Sequence, residues 1–172
     1  MLQGFCLSIG QQTEYEANLD TLILEMPISL HSTIHDVRQN ISLIFRPDFP
    51  AVVQHDDFLE NNFHVEEATG RITGVVDWAN AKAAPYGISL GGLEILLGIQ
   101  TSTEWHFHPG HGRLRQQFWD TFYNKIGTIS DLDRRSIEVA RLMGLLRTHG
   151  IEWKTDMSGV YLKKLLLVPS MA

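Results

Sequence analysis

The sequence predicts an α+β fold that is mainly helical, with one small β-hairpin as its most definite β element. Three observations carry that prediction. Apolar residues recur at helical spacing in several separate segments. Two short runs rich in β-formers flank Glu67-Ala68-Thr69-Gly70, a turn sequence with its glycine last. A content of 44% hydrophobic against 20% charged residues over 172 positions is enough to close one core, so residues 1–172 are expected to form a single domain with its motif-bearing centre at 51–98.

Residues 1–29 are the least defined, with 14–24 reading as helix and Pro27 ending it. Leu30, Ile34, Val37, Ile41 and Ile44 fall on one face of a helix predicted over about 31–45. Arg46-Pro47-Asp48-Phe49-Pro50 is a turn, after which 51–54 is a short strand. Strands at 63–66 and 71–76 form the hairpin, which sets Asn62 and Asp77 side by side at its open end. Beyond Trp78 the pattern turns helical. A helix over 89–99 puts Leu90, Leu93, Leu96 and Leu97 inward, with Ser89 as its N-cap. Another over 113–126 carries Leu114, Phe118, Phe122 and Ile126 on one face and stops at Gly127. A third over 131–149 buries Ile137, Ala140, Leu142 and Leu145 and ends at Gly150, and a shorter one near 156–167 follows.

Composition excludes several classes. A net charge of −6 and no Lys/Arg cluster longer than two residues argue against a nucleic-acid partner and suit a cationic substrate. One cysteine, Cys6, excludes an intrachain disulfide framework and suits a reducing compartment. No apolar run approaches the roughly 18 residues of a membrane span, and the N-terminus lacks the basic start of a signal peptide, so no membrane partner and a cytoplasmic location are expected.

The chemistry is concentrated in His55-Asp56-Asp57, Asn62 and the run Gly74-Val75-Val76-Asp77-Trp78. Asp57, four intervening residues and Asn62 reproduce the spacing of a phosphoryl-transfer catalytic loop. In such a loop the Asp accepts or orients the proton of the attacking hydroxyl, and the Asn turns back to hold Mg²⁺ against the phosphates. A further carboxylate must come from the end of a neighbouring strand, where Asp77 closes an apolar run. His55 is expected to be structural, orienting the loop by hydrogen bonds. A second carboxylate at Asp56, beside Asp57, is expected to raise one of the two pKa values.

These residues resemble the aminoglycoside phosphotransferase and choline kinase-like family. There the loop reads His-Gly-Asp-Leu-x-x-x-Asn and the later segment Gly-[Val/Ile]-[Ile/Val]-Asp-Trp, followed by a small residue and Pro-x-Gly; this chain supplies Asp57, Asn62, Gly74, Asp77, Trp78, Ala81 and Pro85-Tyr86-Gly87. It departs from the pattern at Asp56 and at Phe63-His64. The resemblance implies a kinase-like C-terminal lobe, ATP and Mg²⁺ as cofactors and a small-molecule acceptor. Asp57 would be catalytic, Asn62 and Asp77 metal- and cofactor-binding, and His55 and Trp78 structural at the site. Relatives also carry an N-terminal β lobe with a phosphate-gripping Lys. Here 54 residues precede His55 and the first lysine is Lys82, so that lobe is expected to be absent and the chain to be a truncated C-terminal lobe, its activity alone impaired. The alternative is a catalytically inactive, pseudokinase-like binding or scaffold module.

Two other features have plainer explanations. His106-Phe107-His108-Pro109-Gly110-His111 offers imidazoles for zinc, but Pro109 and Gly110 mark an inter-helix loop and the cluster holds no carboxylate or cysteine. Trp105, Trp119 and Trp153 are expected to pack rather than bind ligand.

Overall fold

The computed structural model describes residues 9–152 and 158–166; Cys6 and Trp153 lie outside them. Helix α1 (Ile9–Glu25) starts earlier than its sequence pattern suggested, and Pro27, with φ −54° and ψ 143°, separates it from α2 (Ile28–Asn40). Proline has no N–H to continue the ladder, so the chain turns there and restarts. Helix α2 tightens into a 3-10 turn at Ile41–Ile44, and all five apolar positions predicted for its inner face are buried.

They meet Leu19 and Leu22 of α1, Met143, Leu145 and Leu146 of α5 (Asp131–Arg147), and Leu162 and Leu165 of α6 (Ser158–Leu166) in one core. Each aliphatic side chain so buried contributes about 1.5–3 kcal/mol relative to leaving it in water. Helix α5 runs through this core, with every residue from Val139 to Arg147 buried. Its start is well specified: the Ser130 hydroxyl accepts from the Asp133 N–H at 3.1 Å, and Asp131 and Asp133 complement the positive end of the helix dipole. Instead of ending at Gly150, it widens into a π turn over Thr148–Glu152.

Among the described residues, three two-stranded antiparallel sheets complete an α+β architecture. Strands β2 (Phe63–Glu66) and β3 (Arg71–Val75) form the predicted hairpin, with Gly70 at φ 69° supplying its left-handed turn and a register shift between His64 and Val65. Strand β1 (Ala51–Gln54) pairs with β4 (Lys82–Pro85), placing Gln54 opposite Lys82. Strands β5 (Gly98–Gln100) and β6 (Trp105–Phe107) occupy sequence that the apolar pattern assigned to a helix end and a loop.

The segment after Pro85 departs most from expectation. Instead of one helix over 89–99, a 3-10 turn at Ile88–Gly91 leads into the short α3 (Gly92–Leu96) and then β5. Backbone crowding explains the break. A Cβ on Gly144 of α5 would collide with the Ile88 carbonyl oxygen, one on Gly91 would sit 3.1 Å from the Leu145 nitrogen, and one on Gly92 would sit 2.7 Å from the Phe58 oxygen. The chain is pressed between α5 and the loop at Phe58, and Ile88, Glu94, Ile95 and Leu97 turn inward while Leu90, Leu93 and Leu96 stay half-buried.

Helix α4 (His111–Ile126) is likewise rotated from its expected face. Arg115 and Trp119 are buried, whereas Leu114 and Ile126 are 42% and 36% exposed. The cause is Glu94, buried in α3 and gripped by Arg115 through contacts of 2.7–3.0 Å, with Arg141 of α5 3.8 Å away. A carboxylate taken out of water needs that cation, and α4 turns to deliver it. Trp105 and Trp119 pack as expected, at 3% and 6% exposure.

Candidate active site

Strand β1 delivers its loop by being fixed on both sides. The buried Gln54 amide donates to the Pro85 carbonyl at 3.3 Å and accepts the Ser89 N–H at 3.0 Å, and the Ser89 hydroxyl donates to the His55 carbonyl at 3.2 Å. Ser89 therefore anchors the loop instead of capping a helix. Neither Gln54 nor this use of Ser89 was visible in the sequence, because both bonds span more than thirty positions.

His55 is buried, and its Nε2 donates to the Val76 carbonyl at 2.7 Å. That bond assigns the Nε2–H tautomer and leaves Nδ1 to accept the Asp57 N–H at 3.3 Å. Its ring also packs edge-on against Trp78, with centroids 4.8 Å apart, and Phe58 at 6.0 Å. The residue that opens the loop is thus bonded to the residue preceding Asp77.

Asn62 lies in the 3-10 turn Glu60–Asn62 and is buried. Its Nδ2 donates to the Asp57 carbonyl at 2.7 Å and to Asp57 Oδ2 at 3.2 Å, so its amide oxygen is turned away from Asp57. Its own carbonyl accepts the Val76 N–H at 2.9 Å. Asp57 and Asn62 are therefore in side-chain contact, and Asn62 is bonded through the main chain to the residue before Asp77. The other carboxylate oxygen of Asp57, Oδ1, is buried with no hydrogen-bond partner among the described residues. An orphaned buried acceptor of this kind is uncommon in a native fold.

Asp77 is exposed and stands at φ 62°, ψ 55°, the single non-glycine residue of positive φ among those described. That conformation costs of order 1 kcal/mol even for Asp, which tolerates it better than most. It is held by the Val76–Asn62 bond on one side and on the other by the Trp78 indole, whose Nε1 donates to the Val75 carbonyl at 2.9 Å.

The Asp56 carboxyl itself is lowered, not raised. Burial pushes its carboxyl up, but hydrogen bonds from Arg147 and Lys82 outweigh burial and hold it below the usual carboxylate range. Arg147 is bidentate at 2.9 and 3.1 Å and the Lys82 ammonium sits at 2.7 Å. These cations, from the end of α5 and the start of β4, escaped sequence reasoning because Arg147 lies 91 positions away. A cleft of about 30 Å³ beside the loop is lined by His55, Asp57, Phe58, Ser89 and Arg147 among others.

The residues present suit a hard divalent cation. The Asn62 amide oxygen and the Asp77 carboxylate are oxygen donors of the type Mg²⁺ takes. Among the described residues no group of three or more His, Cys, Asp or Glu is arranged to hold a metal, so an ion here would depend on the amide as well as on carboxylates. Two of the three histidines of 106–111 are engaged separately: His106 lies 3.4 Å from Glu104, and His111 stacks on Phe107 at 4.5 Å.

A sequence model described as the phosphotransferase enzyme family matches residues 11–101, more than half of the chain. The match takes in most of α1, together with α2, the loop of Asp57, the hairpin and Asp77. No curated protein and no solved structure matches the chain.

Proposed function

This chain belongs to the phosphotransferase enzyme family, and on that basis we propose that it is a kinase-like C-terminal lobe built to transfer the γ-phosphoryl of ATP to a small-molecule hydroxyl. The observation that carries the proposal is the hydrogen-bond chain from Asp57 through Asn62 to Val76, which links the loop to the strand end bearing Asp77. In this reading Asp57 receives the acceptor hydroxyl and orients its proton, its free Oδ1 being the acceptor for that O–H. Asn62 and Asp77 hold Mg²⁺, which when bound neutralises phosphate charge. His55 and Trp78 fix the two backbone segments, so the chain's contribution is placement and electrostatics. The net charge of −6 favours a small, even cationic, acceptor over a nucleic acid.

In this reading residues 1–56 contribute little grip on the α- and β-phosphates. No lysine precedes Asp57 in the sequence, and the two upstream arginines are engaged, Arg38 with Asp20 and Arg46 with Asp48 and Asp133. This favours low nucleotide affinity for the chain by itself, and it is the feature that supports an inactive binding module as the second reading.

Calorimetric titration of the purified chain with MgATP tests the proposal. The expected result is millimolar binding, roughly −4 kcal/mol, that disappears in Asp77→Asn, a change that keeps a residue tolerant of the left-handed backbone. Micromolar binding would overturn the weak grip, and binding indifferent to Asp77→Asn would overturn the metal role.

A further inference from the structure

The side chain beside the candidate base makes an arrangement that the proposed chemistry leaves unused. Asp56 sits one peptide before Asp57, and its carboxylate is held from two other elements: by Arg147, the last residue of α5, and by Lys82, the first residue of β4. Arg147 reaches both oxygens of Asp56. The Lys82 ammonium takes a second position on Oδ2. What Lys82 adds is a connection. It lies five positions after Asp77 in sequence, with the 3-10 turn Trp78–Asn80 between them, so the pair ties the segment that follows Asp77 to the loop that carries Asp57.

Resting on the phosphotransferase reading of this site, we infer that Asp56 is a positioning residue which, through Lys82 and Arg147, sets the Asp57 loop against the Asp77 segment and against α5. Consecutive Cα atoms are about 3.8 Å apart across a trans peptide, so Asp56 cannot shift without carrying Asp57. The His55–Val76 bond fixes the same two segments at a second point, before Asp77, while Lys82 fixes them after it. Strand pairing already sets Gln54 opposite Lys82, and the Lys82 side chain extends that join two residues further, onto the loop itself, so that the approach is held on both sides of Asp77. The side chain of Lys82 is 42% exposed, so its replacement leaves the core intact.

The test turns on a sign. Mn²⁺ is titrated against the chain, with free Mn²⁺ followed by electron paramagnetic resonance, for the wild type, Lys82→Met and Lys82→Arg. If Lys82 acted only by its charge, removing a cation near a metal site would tighten Mn²⁺ binding. Positioning predicts the opposite: Lys82→Met weakens Mn²⁺ several-fold, Lys82→Arg restores it, and amide exchange at Val76 and Leu59 speeds up in Lys82→Met while that in β5 and β6 does not change. Tighter or unchanged Mn²⁺ binding in Lys82→Met, with wild-type binding intact, would overturn the positioning role and leave the function standing. Absence of Mn²⁺ binding in the wild type that depends on Asp77 would overturn both.

Discussion

The Cβ that Gly144 lacks would occupy the space of the Ile88 carbonyl oxygen, so helix α5 and the turn after β4 touch backbone to backbone. Gly144→Ala is expected to destabilise the fold by about 2–3 kcal/mol, because neither backbone can retreat from a core packed on both sides. Gly112→Ala, in the first turn of α4 with open space around it, should instead stabilise by about 0.5–1 kcal/mol. Urea unfolding of the two variants checks the contrast, and equal effects would contradict this packing.

Glu94 is the most deeply buried carboxylate of the described residues and is shared by Arg115 and Arg141. Glu94→Ala leaves Arg115 without its bidentate partner and should cost about 3–5 kcal/mol. Glu138→Ala removes a less buried partner of Arg141, which still faces Glu94, and should cost markedly less. The same denaturation assay ranks them; a reversed order would show that α4 is not held by this pair.

Stability should fall in mild acid. Burial lowers the pKa of His149 to about 4, below its unfolded value near 6.5. The unfolded chain then binds the proton first, so the full stabilisation is present above about pH 6.5 and is lost as pH falls toward 4, a change of about 3 kcal/mol. Asp56, whose folded pKa is depressed, adds a further loss below about pH 4. Denaturation midpoints at pH 7, 5.5 and 4.5 should decline in the wild type and flatten in His149→Gln; a flat wild-type profile would contradict the shift.

His55→Ala deletes the donor to the Val76 carbonyl, the acceptor of the Asp57 N–H and a buried ring between Trp78 and Phe58. A cost of about 2–3 kcal/mol is expected from the cavity and the carbonyl left unsatisfied. Amide exchange should accelerate at Asp57 and Val76 before it does in α5. Uniform acceleration throughout would mean that His55 supports the whole fold and not the loop.

How far the sequence could be read depended on the range of the interaction. The hairpin about Gly70 and the loop from Asp57 to Asn62 were legible because turn chemistry and strand alternation act over a few residues. The inner face of α2 was legible because its five apolar positions all meet one core. The face of α4 was misread because a buried charge, Glu94, outweighed the apolar stripe containing Leu114 and Ile126. The helix expected over 89–99 failed because Gly91 and Gly92 serve close backbone contacts that only the folded chain creates. Within the candidate site, Asp57, Asn62, Asp77, His55 and Trp78 could be named from spacing and resemblance. Gln54, Ser89, Lys82 and Arg147 could not, since each acts across elements distant in the chain.

The most direct measurement is nuclear magnetic resonance of the ¹⁵N-labelled chain with ATP and substoichiometric Mn²⁺. The paramagnetic ion should broaden the amides of Asp57, Asn62, Val76 and Asp77 together, and Asp77→Asn should abolish the effect. Broadening centred elsewhere, for instance on residues 106–111, or persisting unchanged in Asp77→Asn, would contradict a shared divalent site at the open end of the hairpin.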